Sequence, residues 1–511
     1  MIARVQTFTL LGVEAFDVTV EVDVAPQGLP SFSVVGLPDT AVRESRERVR
    51  SAIKNSDFKF PDSRIVASLA PSDLRKAGPG FDLGIAAGIL VAFRQLPEDA
   101  LAGCAMAAEL ALDGTVRAVP GAIAMAERAG ELGLEKIVVA RASAAEASMP
   151  AALGAHPCRV VPVDCLRDLA LLGTPGEPSY TPGNSRPAAA APKLGVDLSE
   201  LRGQPTLRRA LETVAAGGHG MLILGPPGAG KSLAARRLPT IMPPLDDSEA
   251  MEVLRIASAC GQQGRHVNGN GRGFRSPLRP FRAPHHTISP AGLVGGGTPP
   301  RAGEVTLAHC GVLFLDELGE FSRVSLEALR QPLEDGDVTI SRVRHSVLLP
   351  SRFVLVAASN PCPCGHGEDS PKCNCSPGSA RRYRNRISGA LADRIDISLS
   401  IEQPAPEDLT AEPGEASANV RARVVRARQV ALTRQGCANA ELGPAALREH
   451  VPLGREAQRE LTSGHRTMGL SGRGHDRVRR VARTLADLAG RDEVNAEDIH
   501  GALAFRRRSA E

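Results

Sequence analysis

Residues 225–232 read Gly225, Pro226, Pro227, Gly228, Ala229, Gly230, Lys231, Ser232, a complete GxxxxGK[ST] phosphate loop. It constrains the fold strongly, because such a loop works only between a buried strand and the start of a helix. The flanks comply: the apolar run Met221–Leu224 precedes it, and Leu233–Leu238 opens a helical pattern. The glycines let backbone N–H groups close around phosphate oxygens, and the helix N-terminus favours negative charge. Lys231 would reach the β- and γ-phosphates, and Ser232 would hold Mg²⁺. Lys231 is the only lysine between Lys193 and Lys372, so its place in the loop does not reflect abundant lysine. The chain is expected to bind a nucleoside triphosphate.

A chain of 511 residues exceeds a single core. Residues 1–172 mix strand and helix patterns: Val18–Val24 alternates apolar and polar, while 86–96 and 121–134 read as helices. A Pro- and Ala-rich stretch, 173–193, reads as a linker. Strands and helices then alternate around the phosphate loop over 194–403, as in a parallel α/β domain. Residues 404–511 look mainly helical, with an amphipathic run at Val478–Leu488. No apolar stretch reaches the length of a membrane span, and the first residues lack the apolar core of a secretory signal. A cytoplasmic protein without membrane attachment is therefore expected.

Val312–Leu315 is an apolar strand that delivers Asp316 and Glu317 to a sheet edge, where α/β proteins bind ligands. Asp316 would hold Mg²⁺ through water, and Glu317 would polarise the attacking water. A second apolar strand, Phe353–Ser359, ends in Asn360. Asn360 would orient water or contact the γ-phosphate; with Pro361 behind it, it could instead serve as a cap, but strand order and spacing favour the first role.

From Val253 to Gly303 there is no Asp or Glu, but there are Arg255, Arg265, Arg272, Arg275, Arg279, Arg282 and Arg301. Phe274 and Phe281 lie among them, in a chain with 3% aromatic residues. Uncompensated arginine with interleaved rings is the footprint of a nucleic-acid contact. The alternative is pairing with acids of a neighbouring subunit. His285 and His286 are adjacent, and adjacent His side chains usually point apart, which argues against a metal there. Residues 337–342 and 347–349 read as a hairpin, with Arg342, Arg344 and His345 near its tip. Four of the ten cysteines, Cys362, Cys364, Cys373 and Cys375, fall within fourteen residues. In a cytoplasmic chain such a cluster is either a tetrahedral Zn²⁺ site of structural type or four reduced thiols. The basic run Ala380–Arg386 follows.

Together these motifs resemble the YifB/ComM family of magnesium-chelatase-like AAA+ ATPases. Further segments carry the likeness: Asp197–Gln204, Arg279–Thr287, Gly295–Gly297, Gly303–His309, Leu391–Asp396 and Leu470–Arg477. The resemblance covers nearly the whole chain. It implies ATP and Mg²⁺, an arginine finger at Arg394, and a sensor at Arg473, with Arg477 as the second choice. A finger acting on a neighbour's nucleotide implies a homo-hexameric ring. The resemblance further implies a central AAA+ phosphate-loop domain with a C-terminal helical lid. It points to a DNA motor in recombination, with branch migration during natural transformation as the expected role. Alternatives are a magnesium-chelatase motor that remodels a protein partner, and an ATP-dependent protease. Residues 1–172 resemble a Lon-protease-like domain of ribosomal S5-type α/β fold. There Gly80 stands where the nucleophilic Ser belongs, and Ala124 where the Lys belongs, which argues against peptidase activity.

Overall fold

The structure, a computed structural model, describes residues 2–25, 29–152, 158–181, 195–262, 278–297, 300–341, 346–367, 371–391 and 394–506, without the side chains of 341 and 384–390. Among the described residues no helix is long and apolar enough to cross a membrane.

The N-terminal part is built on a seven-stranded mixed sheet in the order 31–35, 64–70, 14–25, 2–11, 104–107, 136–140, 159–163. The alternation at Val18–Val24 lies in the strand Glu14–Ala25, where Val18, Val20, Val22 and Val24 are buried. The helix expected over 86–96 spans Asp82–Ala92 instead. It starts earlier because buried Asp82 pairs with Arg48 at 2.7 Å. It stops earlier because Arg94 turns the chain at φ 57°, with the Gln95 N–H donating to the Leu90 carbonyl at 2.8 Å. The helix expected over 121–134 is Ala122–Glu131.

The start of the expected linker is not loose. Glu177 is buried and accepts from Lys136 Nζ at 2.9 Å, while the Tyr180 N–H donates to the Val160 carbonyl at 3.0 Å. This ion pair holds residues 173–181 against the last strands of the first sheet; 182–194 lie outside the described residues.

The second sheet has five parallel strands in the order 281–282, 312–315, 354–359, 221–224, 397–400. Met221–Leu224, first in sequence, lies between strands that come later, so the chain changes direction of travel across the sheet beside it. Such a switch opens a crevice at the carboxyl ends of the strands. The strand interiors are apolar: Leu222, Ile223, Leu313, Phe314, Leu315, Val356 and Ile397 are buried.

Past residue 404 the chain is helical, as expected, with main helices Ser417–Gln435, Arg455–Met468, Gly472–Leu488 and Ala496–Ala504. Val478, Val481, Ala482 and Leu485 pack with Val420, Val424, Leu211 and Val214 in one core that includes the strands around the phosphate loop. A buried polar chain fixes the orientation. His219 Nδ1 meets Asp396 at 2.8 Å, and its Nε2 meets Thr484 at 2.7 Å.

Among the described residues, the N-terminal part meets the central part at the helix Asp247–Ala259 and at a hairpin. The Gly121 N–H donates to the Ser258 carbonyl at 3.0 Å, with Ile123, Met149 and Leu254 forming a small apolar cluster beside it. The turn at Gly12, φ 65°, lies against Val347 and Leu349 of the expected hairpin, whose strands are Asp337–Ser341 and Ser346–Pro350. The hairpin tip, with Arg342, Arg344 and His345, lies outside the described residues.

Candidate nucleotide site

The phosphate loop leaves its strand at Gly225 and enters the helix Lys231–Ile241. Gly228 and Gly230 take φ 80° and 89°, the left-handed backbone that lets the loop curl. No side chain caps the helix, so its first N–H groups stay available for an anion. Side-chain amides fasten the loop from both flanks. Gln204 Nε2 donates to the Ala229 carbonyl at 2.8 Å, and Gln403 Nε2 donates to the Pro227 carbonyl at 2.7 Å. Sequence reading gave Gln403 no role, because a glutamine in a loop carries no motif.

Lys231 folds back along the loop. Its Nζ donates to Gly225 O at 2.5 Å, Pro226 O at 3.0 Å and Asn360 Oδ1 at 2.9 Å. Burial lowers its pKa, and the nearby charges of Asp316 and Glu317 offset part of that effect. An incoming phosphate would replace the carbonyl contacts with a charge-assisted bond that favours the ammonium. Ser232 Oγ donates to Asp316 Oδ2 at 2.6 Å. The two Mg²⁺ candidates are therefore already in contact, with oxygen donors of the kind Mg²⁺ takes.

Glu317 follows Asp316 in a left-handed conformation, φ 52°, ψ 50°. For a residue with a Cβ that conformation costs about 1–2 kcal/mol, strain of the kind found at functional sites. Glu317 is also met by His286 Nδ1 at 3.4 Å. The two adjacent histidines do not point apart: the rings of His285 and His286 lie with centroids 4.1 Å apart, tilted by 34°. His286 lies against Glu317 and Phe321, while His285 bonds Thr287 Oγ1 at 2.9 Å.

Lys231, Ser232, Asp316, Glu317 and Asn360 thus converge at the carboxyl edge of the sheet. Arg394 and Arg473 do not join them. Arg394 lies just before the strand Ile397–Ser400, whose Ile397 pairs with Met221, so it belongs to the opposite, starting edge. A strand of this length separates the edges by about 13 Å. Burial lowers the Arg394 pKa, and the like charges of Arg473, Arg330 and Arg477 lower it further. Its Nε is buried without a hydrogen-bond partner, and its guanidinium is held by Glu334. Arg473 is exposed, whereas Arg477 is buried and faces Asp396 at 3.7 Å.

The arginine-rich stretch is less open than its composition suggests. Arg279 forms a two-pronged pair with Glu249, at 3.1 and 2.8 Å, and Arg282 one with Glu304, at 2.6 and 2.8 Å. Arg255 reaches Glu127 at 3.4 Å. For these three the expectation of uncompensated charge is corrected. The acids lie just outside the acid-free window or on the N-terminal part, and folding brings them in. Arg301 is exposed; Arg265, Arg272, Phe274 and Arg275 lie outside the described residues.

The four cysteines gather directly after Asn360. Sγ–Sγ distances are 3.3 Å for Cys362 and Cys364, 3.8 Å for Cys362 and Cys373, and 3.6 Å for Cys364 and Cys373; all four lie within 4.8 Å of one another. A tetrahedron with Zn–S bonds of about 2.3 Å has S–S edges of about 3.8 Å, so the donors fit that ion. Backbone N–H groups of His366 and Asn374 draw the Cys364 thiol down to about 6, toward the thiolate a metal requires. A second group, Glu252, His309 and Cys310, does not suit a metal. His309 Nε2 meets Glu252 at 2.5 Å, and its Nδ1 accepts the Arg352 N–H at 3.1 Å, so both ring nitrogens are used.

Three family models match the chain: magnesium chelatase, subunit ChlI, over residues 197–409; subunit ChlI of Mg-chelatase over 20–143; and the C-terminal part of that subunit over 414–506. The protein YifB of Salmonella typhimurium is 40% identical over 513 residues, covering 99% of this chain and 97% of that one. Competence protein ComM of Haemophilus influenzae is 39% identical over 508 residues, again 99% and 97%. A shorter match, 31% identical over 154 residues, is to Lon protease 2 of Bacillus subtilis, covering 29% of this chain and 27% of that one.

Proposed function

This chain belongs to the YifB/ComM, magnesium-chelatase-like family, and from that premise we propose that it is a Mg²⁺-dependent AAA+ ATPase working as a hexameric ring motor on DNA. The observation that carries the reading is the division of the site. Lys231, Ser232, Asp316, Glu317 and Asn360 stand at one sheet edge, and Arg394 with Arg473 at the other. Phosphoryl transfer is catalysed by positioning and by charge placed on the transition state. Lys231 and the loop N–H groups bind the phosphates, Ser232 and Asp316 hold Mg²⁺, and Glu317 with Asn360 orients water. Arg394 cannot serve the nucleotide of its own chain across the sheet. It serves a neighbour's, and Arg473 beside it serves the same one.

The role on DNA is our assignment. One of the relatives is named as a competence protein, and branch migration during recombination in natural transformation is the activity we assign. Exposed Arg301 and the arginines of 265–275 are the phosphate contacts we would test first. The helices after residue 404 act as the lid. The N-terminal part acts as a Lon-like domain for assembly or substrate handling, without peptidase chemistry, since Gly80 and Ala124 supply neither nucleophile nor base. The cysteine cluster holds a structural Zn²⁺ with all four positions filled.

A second reading keeps the ring ATPase but makes its substrate a protein, as for a chelatase motor. It is favoured by the pairing of Arg255, Arg279 and Arg282 with acids of the same chain, which removes charge from a DNA footprint.

Steady-state hydrolysis and fluorescence anisotropy with forked and four-way DNA test both. Lys231→Ala should hydrolyse ATP only at background; a fully active variant ends the nucleotide reading. Wild type should bind DNA with an affinity that falls as salt rises. Absence of binding at low salt selects the protein-remodelling motor.

A further inference from the structure

We propose that the cysteine cluster is a positioning clamp for the nucleotide site, in which a thiophilic divalent cation seats the turn at Gly365 on Pro227 and fixes Asn360. The inference rests on the Zn²⁺ reading given above and adds a consequence to it.

One residue, Pro361, separates Asn360 from Cys362. Asn360 Oδ1 is the acceptor of the Lys231 ammonium, so a ligand of the cluster is two residues from the heart of the site. The turn that follows runs directly onto the phosphate loop. Gly365 takes φ 89°, and its N–H donates to the Cys362 carbonyl at 3.0 Å. A Cβ at Gly365 would lie 2.9 Å from both Cγ and Cδ of Pro227, which leaves room for glycine alone. Pro227 is the same residue whose carbonyl Gln403 holds from the other side.

Little else organises this stretch. Between Ser359, the end of a strand, and Pro377, the start of a helix, the described residues form no regular structure. The Gly367 N–H donates to Cys362 Sγ at 3.2 Å. Segments with few backbone hydrogen bonds open at low free-energy cost, and binding of a structural metal is itself folding free energy. A cation shared by Cys362 and Cys364 on one side, and Cys373 and Cys375 on the other, joins the end of the Asn360 strand to the helix Pro377–Ala390. Tyr383 of that helix returns to Ser359 at 3.4 Å, which closes the loop. Without the cation, Pro227 and Asn360 each lose a support. The sheet core is built from other residues and stays.

The test compares the full-length wild type, Cys373→Ser/Cys375→Ser and Gly365→Ala. Metal content, circular dichroism and the affinity for a fluorescent ATP analogue with Mg²⁺ are measured for each. We expect about one Zn²⁺ per wild-type chain. The double variant should lose the metal, keep its secondary structure and bind the analogue about tenfold more weakly, roughly 1.4 kcal/mol. Gly365→Ala should keep the metal and still bind more weakly, because its Cβ pushes Pro227 away. If the metal-free variant binds within twofold of wild type, the clamp is overturned and the Zn²⁺ reading stands. Wild type without zinc overturns the Zn²⁺ reading, and the clamp with it. Should the double variant fail to fold, Gly365→Ala decides: unchanged affinity with zinc retained overturns the clamp.

Discussion

The two edges of the parallel sheet are equipped in opposite ways. At the carboxyl edge, the groups we assign to phosphate and Mg²⁺ already touch one another, Lys231 with Asn360 and Ser232 with Asp316. At the starting edge, Arg394 is crowded by Arg330, Arg473 and Arg477. The like charges crowd there even though Glu334 holds Arg394 and Asp396 faces Arg477, and a γ-phosphate from outside would add a further anion to the cluster. The difference between the edges is the physical basis on which we propose that a finger from one chain completes the site of its neighbour in a ring.

The largest expected effect breaks this comparison most directly. Arg394→Ala should lower ATP turnover by about 10³-fold while nucleotide affinity stays near wild type. Mixing it with Lys231→Ala, each inactive alone, should restore part of the activity in a steady-state assay. Mixtures that remain silent would place both groups in one chain's site.

A smaller effect separates the two candidate sensors. Arg477 is buried against Asp396, so Arg477→Ala should destabilise the fold by about 3 kcal/mol, visible in denaturant melts. Arg473→Ala should leave the melt unchanged and reduce turnover. The reverse pattern would make Arg477 the sensor and Arg473 an ordinary surface residue.

Smaller still is the contact of His286 with Glu317. His286→Ala should change turnover by less than about tenfold, in line with loss of a single hydrogen bond, and leave nucleotide affinity alone. An affinity change of the same size would mean that His286 touches the nucleotide.

The smallest is a pH effect at the starting edge. Burial lowers the His309 pKa, and Glu252 opposes that only in part, with Arg352 and Glu249 also nearby. A group depressed in the folded state stabilises above its unfolded value, about 6.5 for His, and that contribution is lost as pH falls through the folded value. Between pH 7 and pH 5 the melting temperature of wild type should fall more than that of His309→Asn. Parallel curves would remove His309 from the account.

Much of the site was legible because its chemistry is local. The phosphate loop, the acids after Val312–Leu315 and the amide after Phe353–Ser359 each follow an apolar strand, so a short window specifies both the element and the residue it presents. The helix over 86–96 was misplaced for the converse reason. Its true start depends on Asp82 meeting Arg48, a contact 34 residues away. The arginine-rich stretch misled in the same way. Its composition shows no acid, yet Glu249, Glu304 and Glu127 reach it through space.

By itself, then, the sequence determined that an α/β sheet carrying a phosphate-loop motif exists and which residues stand at its carboxyl edge, because strand periodicity and loop chemistry act within a few residues. Only the tertiary structure decided which arginines pair with acids of the same chain, that His286 turns to Glu317, and that the turn at Gly365 beside the cysteine cluster rests on Pro227. Those outcomes depend on electrostatics and packing between distant segments, and no local pattern encodes such distances.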